Sequence, residues 1–120
     1  MLLFKPEHVI PIQTGVKTQT RRTWKKPRVT VGSIQKAKLK MMKSDYFALL
    51  KIKSVRQERL IEMTNGDAFA EGYPTLEDFK TTWKRINGSW NPDQVVWVVG
   101  FAIVDQDGAP VFDKKESDRP

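Results

Sequence analysis

The chain has 120 residues, with 21 Lys plus Arg against 14 Asp plus Glu, no cysteine, one histidine and a formal net charge of +7. That length suits one domain around one core and excludes a nucleotide-binding domain joined to a separate substrate domain; the lack of cysteine excludes a disulfide framework, a thiolate nucleophile and a Cys-ligated zinc, and a lone histidine excludes a multi-His metal centre, so neither metal nor cofactor is expected. No apolar run reaches the roughly 18 residues of a membrane span, and Met1-Leu2-Leu3-Phe4-Lys5-Pro6 lacks the basic-then-apolar order of a signal peptide, so the chain reads as soluble and cytoplasmic, with no membrane partner.

The first expected element is a short helix from Pro6, with Glu7 complementing the positive end of its dipole, Val9, Ile12 and Val16 on one face, and Gly15 as a left-handed stop. His8, early in that helix beside Glu7, reads as a surface histidine. Thr18 to Trp24 has β-branched residues at 18, 20 and 23 and no helical period, so it is expected to be extended. A loop follows from Lys25 to Ser33.

From Ile34 to Met42 the residues alternate. Ala37, Leu39 and Met41 point one way and Lys36, Lys38 and Lys40 the other, as in a half-buried strand with a lysine-lined outer face. After a turn at Ser44-Asp45, Tyr46 to Val55 reads as a second strand, and the two make a hairpin.

Thr64 to Gly72 looks like a brief helix with Asp67 three residues after a cap and Gly72 as terminator. A longer helix is expected next, with Thr75 as N-cap, Asp78 three residues on, Leu76, Phe79, Trp83 and Ile86 on one face, and Asn87-Gly88 as its end. Ser89 to Asp93 is a turn. Val95 to Val104, apolar on both faces, suits a central strand. The tail from Asp113 to Pro120 carries charge and no apolar residue and is expected to fray. Short strands with helices between them suggest an α+β, mainly β fold: a small curved sheet or barrel with short helices at the rim.

The charge divides along the chain. Residues 1–60 hold 15 basic and 3 acidic side chains, a net of +12, and residues 61–120 a net of −5. Within one domain this makes an electropositive face that attracts polyanions, although lysines also serve plain solubility. The densest cationic stretch is Gly15 to Lys26, with five cations and no acid. Its threonines and guanidinium groups offer directional donors to a phosphate or a base edge, whereas cations that only guard a strand edge do not call for interleaved threonines. Trp24 sits among them, and either packs inward or serves as a stacking platform. Trp83 and Trp97 fall on apolar periods and read as core; Trp90 either caps a barrel end or lines a cleft.

Glu71 is an acid in the last turn of a helix, where the negative end of the dipole disfavours it. A solvated glutamate bears that small cost unaided. A facing cation removes it, and a carboxylate opposite Lys17 or an arginine is also an arrangement for proton transfer.

Lys5 to Arg22, with its Gly15-Val16-Lys17-Thr18-Gln19-Thr20-Arg21, resembles the opening signature of ASCH domains, the family named for homology to activating signal cointegrator: an apolar helix, then Gly-x-Lys-Thr-x-Thr and an arginine. Ala70-Glu71-Gly72-Tyr73 through Phe79, the Trp83 to Trp90 segment and Val95 to Phe101 are similar to the family's later blocks. The likeness spans residues 4 to 104, which sets 1–104 as the domain and 105–120 as a C-terminal extension. It implies a PUA-like β-barrel with a cleft between barrel and helices, and RNA or a nucleoside as ligand. Some bacterial relatives hydrolyse the amide of N4-acetylcytidine with a lysine, a threonine three residues later and a distant glutamate. Those positions correspond to Lys17, Thr20 and Glu71. Other relatives have been associated with RNA cleavage.

Three functions follow as expectations. The first is a domain that binds RNA or a modified nucleoside in a cationic cleft, with Arg21, Arg22, Lys25 and Lys26 on phosphate, Trp24 and the lysines Lys36, Lys38 and Lys40 adding to the nucleic-acid surface, and Lys17, Thr20 and Glu71 at the base. The second is an amidohydrolase acting on N4-acylated cytidine, with Thr20 as nucleophile, Lys17 as base and Glu71 orienting or shuttling the proton. The third is a non-catalytic interaction module whose lysine hairpin docks an acidic partner.

Overall fold

In the computed structural model, which describes residues 1–112, the strands are β1 (Leu2–Leu3), β2 (Gln19–Arg22), β3 (Ile34–Lys38), β4 (Ala48–Arg59) and β5 (Val95–Val104). They form one mixed sheet in the order β1-β3-β4-β5-β2, with β1 parallel to β3 and the other neighbours antiparallel. The sheet curls into a half-barrel with a few short helices, the small α+β, PUA-like architecture. The expected fraying at 113–120 lies outside the described residues.

The first helix is shorter than its apolar spacing suggests: a 3-10 turn at Pro6–His8 leads into α1 (Val9–Gln13). The Thr14 hydroxyl donates to Ile10 O at 2.8 Å and Gly15 takes φ 79°, so the chain turns away before Val16, which is exposed while Ile12 is buried. The left-handed conformation is one that glycine alone adopts without a Cβ penalty.

The hairpin also differs in its limits. β3 stops at Lys38, because the Phe47 N–H already closes on Ala37 O at 3.0 Å, and Leu39 and Met41 are exposed rather than inward. β4 starts two residues after Tyr46 and runs past Val55 to Arg59, since its partner β5 continues to pair, Glu58 with Val96 and Arg59 with Val95. Its polar end, beyond the Val55 limit that the apolar pattern suggests, is a strand with one wet face.

β5 is central, as its two apolar faces require, and successive residues feed two cores. Val99 and Phe101 join Leu2, Phe4, Ile12, Leu50 and Ile52 under α1. Val96 and Val98 join Leu60, Met63 and Ala68 beneath α2 (Asn65–Ala70) and Phe79 and Trp83 of α3 (Leu76–Asn87). Both helices are capped as expected. Thr64 and Asp67 form a reciprocal capping box, and Thr75 Oγ1 accepts from the Asp78 N–H at 3.1 Å. Gly88 ends α3 at φ 87°.

After β5 the chain turns back on itself. The Val111 N–H donates to Ile103 O at 3.1 Å, and the Phe112 ring lies over Gly15.

Candidate functional site

β2 is tied at its start to two elements. The Thr18 N–H donates to Ala70 O at 2.8 Å and its carbonyl accepts from the Phe101 N–H at 2.9 Å, so the Gly-x-Lys-Thr-x-Thr segment is pinned between the end of α2 and β5. Pairing of Thr20 with Val99 and Arg22 with Trp97 then fixes its register. Thr20 and Arg22 fall on one face by strand alternation, and the Arg22 Nε donates to Thr20 Oγ1 at 3.2 Å.

Glu71 is placed by the end of α2. The Gly72 N–H bonds Phe69 O and the Tyr73 N–H bonds Ala68 O, each at 2.9 Å, with Gly72 at φ 97°. This is a Schellman turn, and it holds Glu71 on one side of the glycine and Tyr73 on the other.

The cation that the position of Glu71 calls for is present. Lys17, only 3% exposed, donates its amine to the Glu71 carbonyl and has its Nζ 3.8 Å from Glu71 Oε1. Burial drives the Lys17 pKa down from 10.5 to about 8; the Glu71 carboxylate opposes this, and Arg22 and Arg21 add to it.

Arg21 turns inward. Its Nη1 donates to Glu71 Oε2 at 3.0 Å, its Nη2 donates to Glu58 Oε1, and Asp67 Oδ2 lies 3.8 Å away. Three carboxylates, from β4, from α2 and from the residue that caps α2, thus engage a guanidinium that is fully buried. Arg21 is therefore spent on ordering Glu71 and is not presented to a phosphate. Burial pushes the Asp67 carboxyl up, but hydrogen bonds from Thr64 and the charge of Arg21 outweigh this and hold it below its usual value.

Lys17, Thr20, Arg21, Arg22 and Glu71 all line one cleft of about 250 Å³. His8 and Tyr73 form part of its wall, and α3 contributes Trp83 and Asn87. Arg22 is the cation left over there. It donates to Thr20 Oγ1 and Leu3 O and lies over the Phe4 ring at 4.9 Å, and among the described residues it makes no ion pair. Burial lowers its pKa, with Glu71 opposing.

The other expected contacts lie elsewhere. Trp24 packs half-buried against the first core, and Lys25 and Lys26 are exposed in the loop after β2. Lys36 and Lys40 are exposed and Lys38 half-buried, and none of the three lines the cleft. Trp97 is half-buried and belongs to neither core, whereas Trp83 is core and Trp90 packs against the second core.

His8 is not the surface histidine its helix suggests. Its ring meets Phe4 and Tyr73 edge-on at 6.3 and 6.0 Å. Tyr73, two residues beyond Glu71, and Glu58, in a polar run of β4, are further members that carried no mark of their own in the sequence. Among the described residues no three His, Asp or Glu side chains gather to hold a metal ion, and no helix is long and apolar enough to cross a membrane.

No protein-family model and no curated protein matches the sequence. The chain is similar in structure to the ASCH domain from Lactobacillus crispatus JV V101, with a TM-score of 0.65 and 15% identity over 79% of this chain and 69% of that one. It is also similar to a protein of the DUF984 family from Enterococcus faecalis V583, with a TM-score of 0.61 and 18% identity over 82% of this chain and 68% of that one. The half-barrel with its short rim helices is an ASCH-like fold.

Proposed function

We propose that this protein binds a nucleoside, free or as one residue of an RNA chain, in the cleft between β2 and α3. The observation that carries the reading is the convergence of Lys17, Thr20, Arg22 and Glu71 on one cleft. Arg22 has donors to spare and no carboxylate partner, so it suits an oxygen of the base or a phosphate. The shared ASCH-like fold supports RNA binding or a related function. Calorimetric titration with cytidine-type nucleosides tests it: Lys17→Ala and Arg22→Ala are each expected to weaken binding tenfold or more, and a wild-type protein that binds none of them refutes it.

A second reading, hydrolysis of an N4-acylated cytidine, is favoured by one observation: a buried lysine with its pKa near 8 that lines the same cleft as a threonine hydroxyl. The lowered pKa makes the neutral amine accessible near neutral pH. Thr20 Oγ attacks the acyl carbon as its proton passes to Lys17 Nζ, and the Arg22 Nε donor stabilises the developing alkoxide. The C–N bond breaks as Lys17 returns the proton to the exocyclic nitrogen, which leaves as cytidine. Water then cleaves the Thr20 ester and releases the carboxylic acid. Release of acetate from N4-acetylcytidine, lost in Thr20→Ala while the protein stays folded, is the expected result. No turnover across a panel of N4-acylcytidines sinks this reading.

A further inference from the structure

His8 has no part in either reading, although it stands in the cleft wall. Among the described residues its ring makes no hydrogen bond, and neither ring nitrogen is sealed away without a partner, so both remain accessible on a residue that lines the cleft. The edge-on contacts with Phe4 and Tyr73 fix the plane of the ring. What surrounds it fixes its charge. Burial, with Lys17 and Arg22 nearby, lowers its pKa from 6.5 to about 4 against the opposing pull of Glu7. Tyr73, the remaining titratable neighbour, has its own pKa raised by burial. The imidazole is therefore neutral at physiological pH, with one N–H and one lone pair.

On the β2 side of the cleft few acceptors remain beside that lone pair, while across it Thr82 and Asn87 of α3 carry others. The Lys17 ammonium and the Arg22 guanidinium only donate, Glu71 is taken by Lys17 and Arg21, and the Thr20 oxygen already accepts from Arg22. A base that satisfied only the cationic side would offer oxygens and ring nitrogens. One that also carries an N–H finds the uncharged imidazole nitrogen beside the cations to accept it.

We propose that His8 is the specificity-determining residue of the cleft, accepting a hydrogen bond from an N–H of the bound base, and so selecting an aminopyrimidine that presents an exocyclic N–H beside its ring acceptors. A site built to pair such a group rejects an analogue that lacks it, because the imidazole lone pair is then left unpaired and desolvated. The inference rests on nucleoside binding in this cleft and adds the identity of the edge that is read.

The test is a titration of cytidine and N4,N4-dimethylcytidine, which differ in the exocyclic N–H, into wild type, His8→Phe and His8→Gln. Phenylalanine keeps a flat ring between Phe4 and Tyr73 and removes both nitrogens; glutamine keeps a donor and an acceptor. Wild type is expected to prefer cytidine by tenfold or more, His8→Phe to lose that preference, and His8→Gln to retain part of it. Equal binding of both ligands by wild type, or an undiminished preference in His8→Phe, overturns the role of His8 while leaving nucleoside binding intact. If wild type binds neither ligand, nucleoside binding falls and His8 with it.

Discussion

The Arg21 Nη1 donates to Glu71 Oε2 at 3.0 Å, and this buried bond joins β2 to the residue that caps α2. Glu58 on β4 takes the other end of the same guanidinium. Removing one partner from such a cluster leaves uncompensated charge out of water, which is far costlier than the pair is beneficial. Arg21→Met is thus expected to destabilise the fold by about 3–5 kcal/mol, measured by urea denaturation. A loss below about 1 kcal/mol contradicts the assignment of Arg21 as the tie between the two elements.

Lys17 gives the protein a pH signature. Its folded pKa of about 8 lies below the ordinary 10.5, so between those values the unfolded chain binds more protons than the folded one. The penalty for burying the ammonium is fully present below pH 8 and is relieved as pH rises toward 10.5. Stability relative to Lys17→Met should therefore climb by on the order of 2 kcal/mol between pH 7 and pH 10, in paired denaturation curves. A flat difference across that window refutes it.

Gly72 takes φ 97°, and a methyl group there would meet the Lys17 side chain only at 3.6 Å, an ordinary van der Waals distance. The cost of Gly72→Ala is then backbone strain, about 1 kcal/mol. Gly32, at φ 89° in open surroundings, should lose a similar amount of stability on Gly32→Ala. The two differ at the cleft: Gly72→Ala shifts the Schellman turn that holds Glu71 and weakens nucleoside binding, whereas Gly32→Ala leaves it unchanged. Equal effects on binding count against this placement of Glu71.

Lys36, Lys38 and Lys40 stand apart from the cleft lining. Reversing all three to glutamate should lower affinity for single-stranded RNA and flatten its salt dependence, by a slope of about 0.7 for each phosphate that is no longer neutralised, with binding of a free nucleoside unchanged. Loss of both activities places these lysines in the nucleoside site. Loss of neither removes them from any nucleic-acid surface.

These effects trace back unevenly to the sequence. The caps at Thr64, Thr75 and Gly88 and the doubly apolar β5 are local features, legible from a few adjacent residues. The ends of α1 and β3 are not, because the Thr14 hydroxyl bond and the closure of Phe47 on Ala37 override patterns that continue beyond them. At the site, the dipole-disfavoured Glu71 asked for a cation, and the resemblance named Lys17 and Thr20. Strand alternation carries no sign of which guanidinium goes inward. Arg21 rather than Arg22 does so because Glu58, 37 residues away in sequence, waits there, and Glu58 itself lies beyond Val55, where the expected strand ends.

The central claim is that Lys17, Thr20, Arg22 and Glu71 form one nucleoside-binding cleft, and chemical-shift mapping of the isotopically labelled protein with cytidine and N4-acetylcytidine tests it most directly. Saturable shifts are predicted at Lys17, Thr20, Arg22, Glu71 and Tyr73, with Lys36 to Lys40 silent. Shifts confined to the Lys36 to Lys40 face, or none that saturate, contradict it.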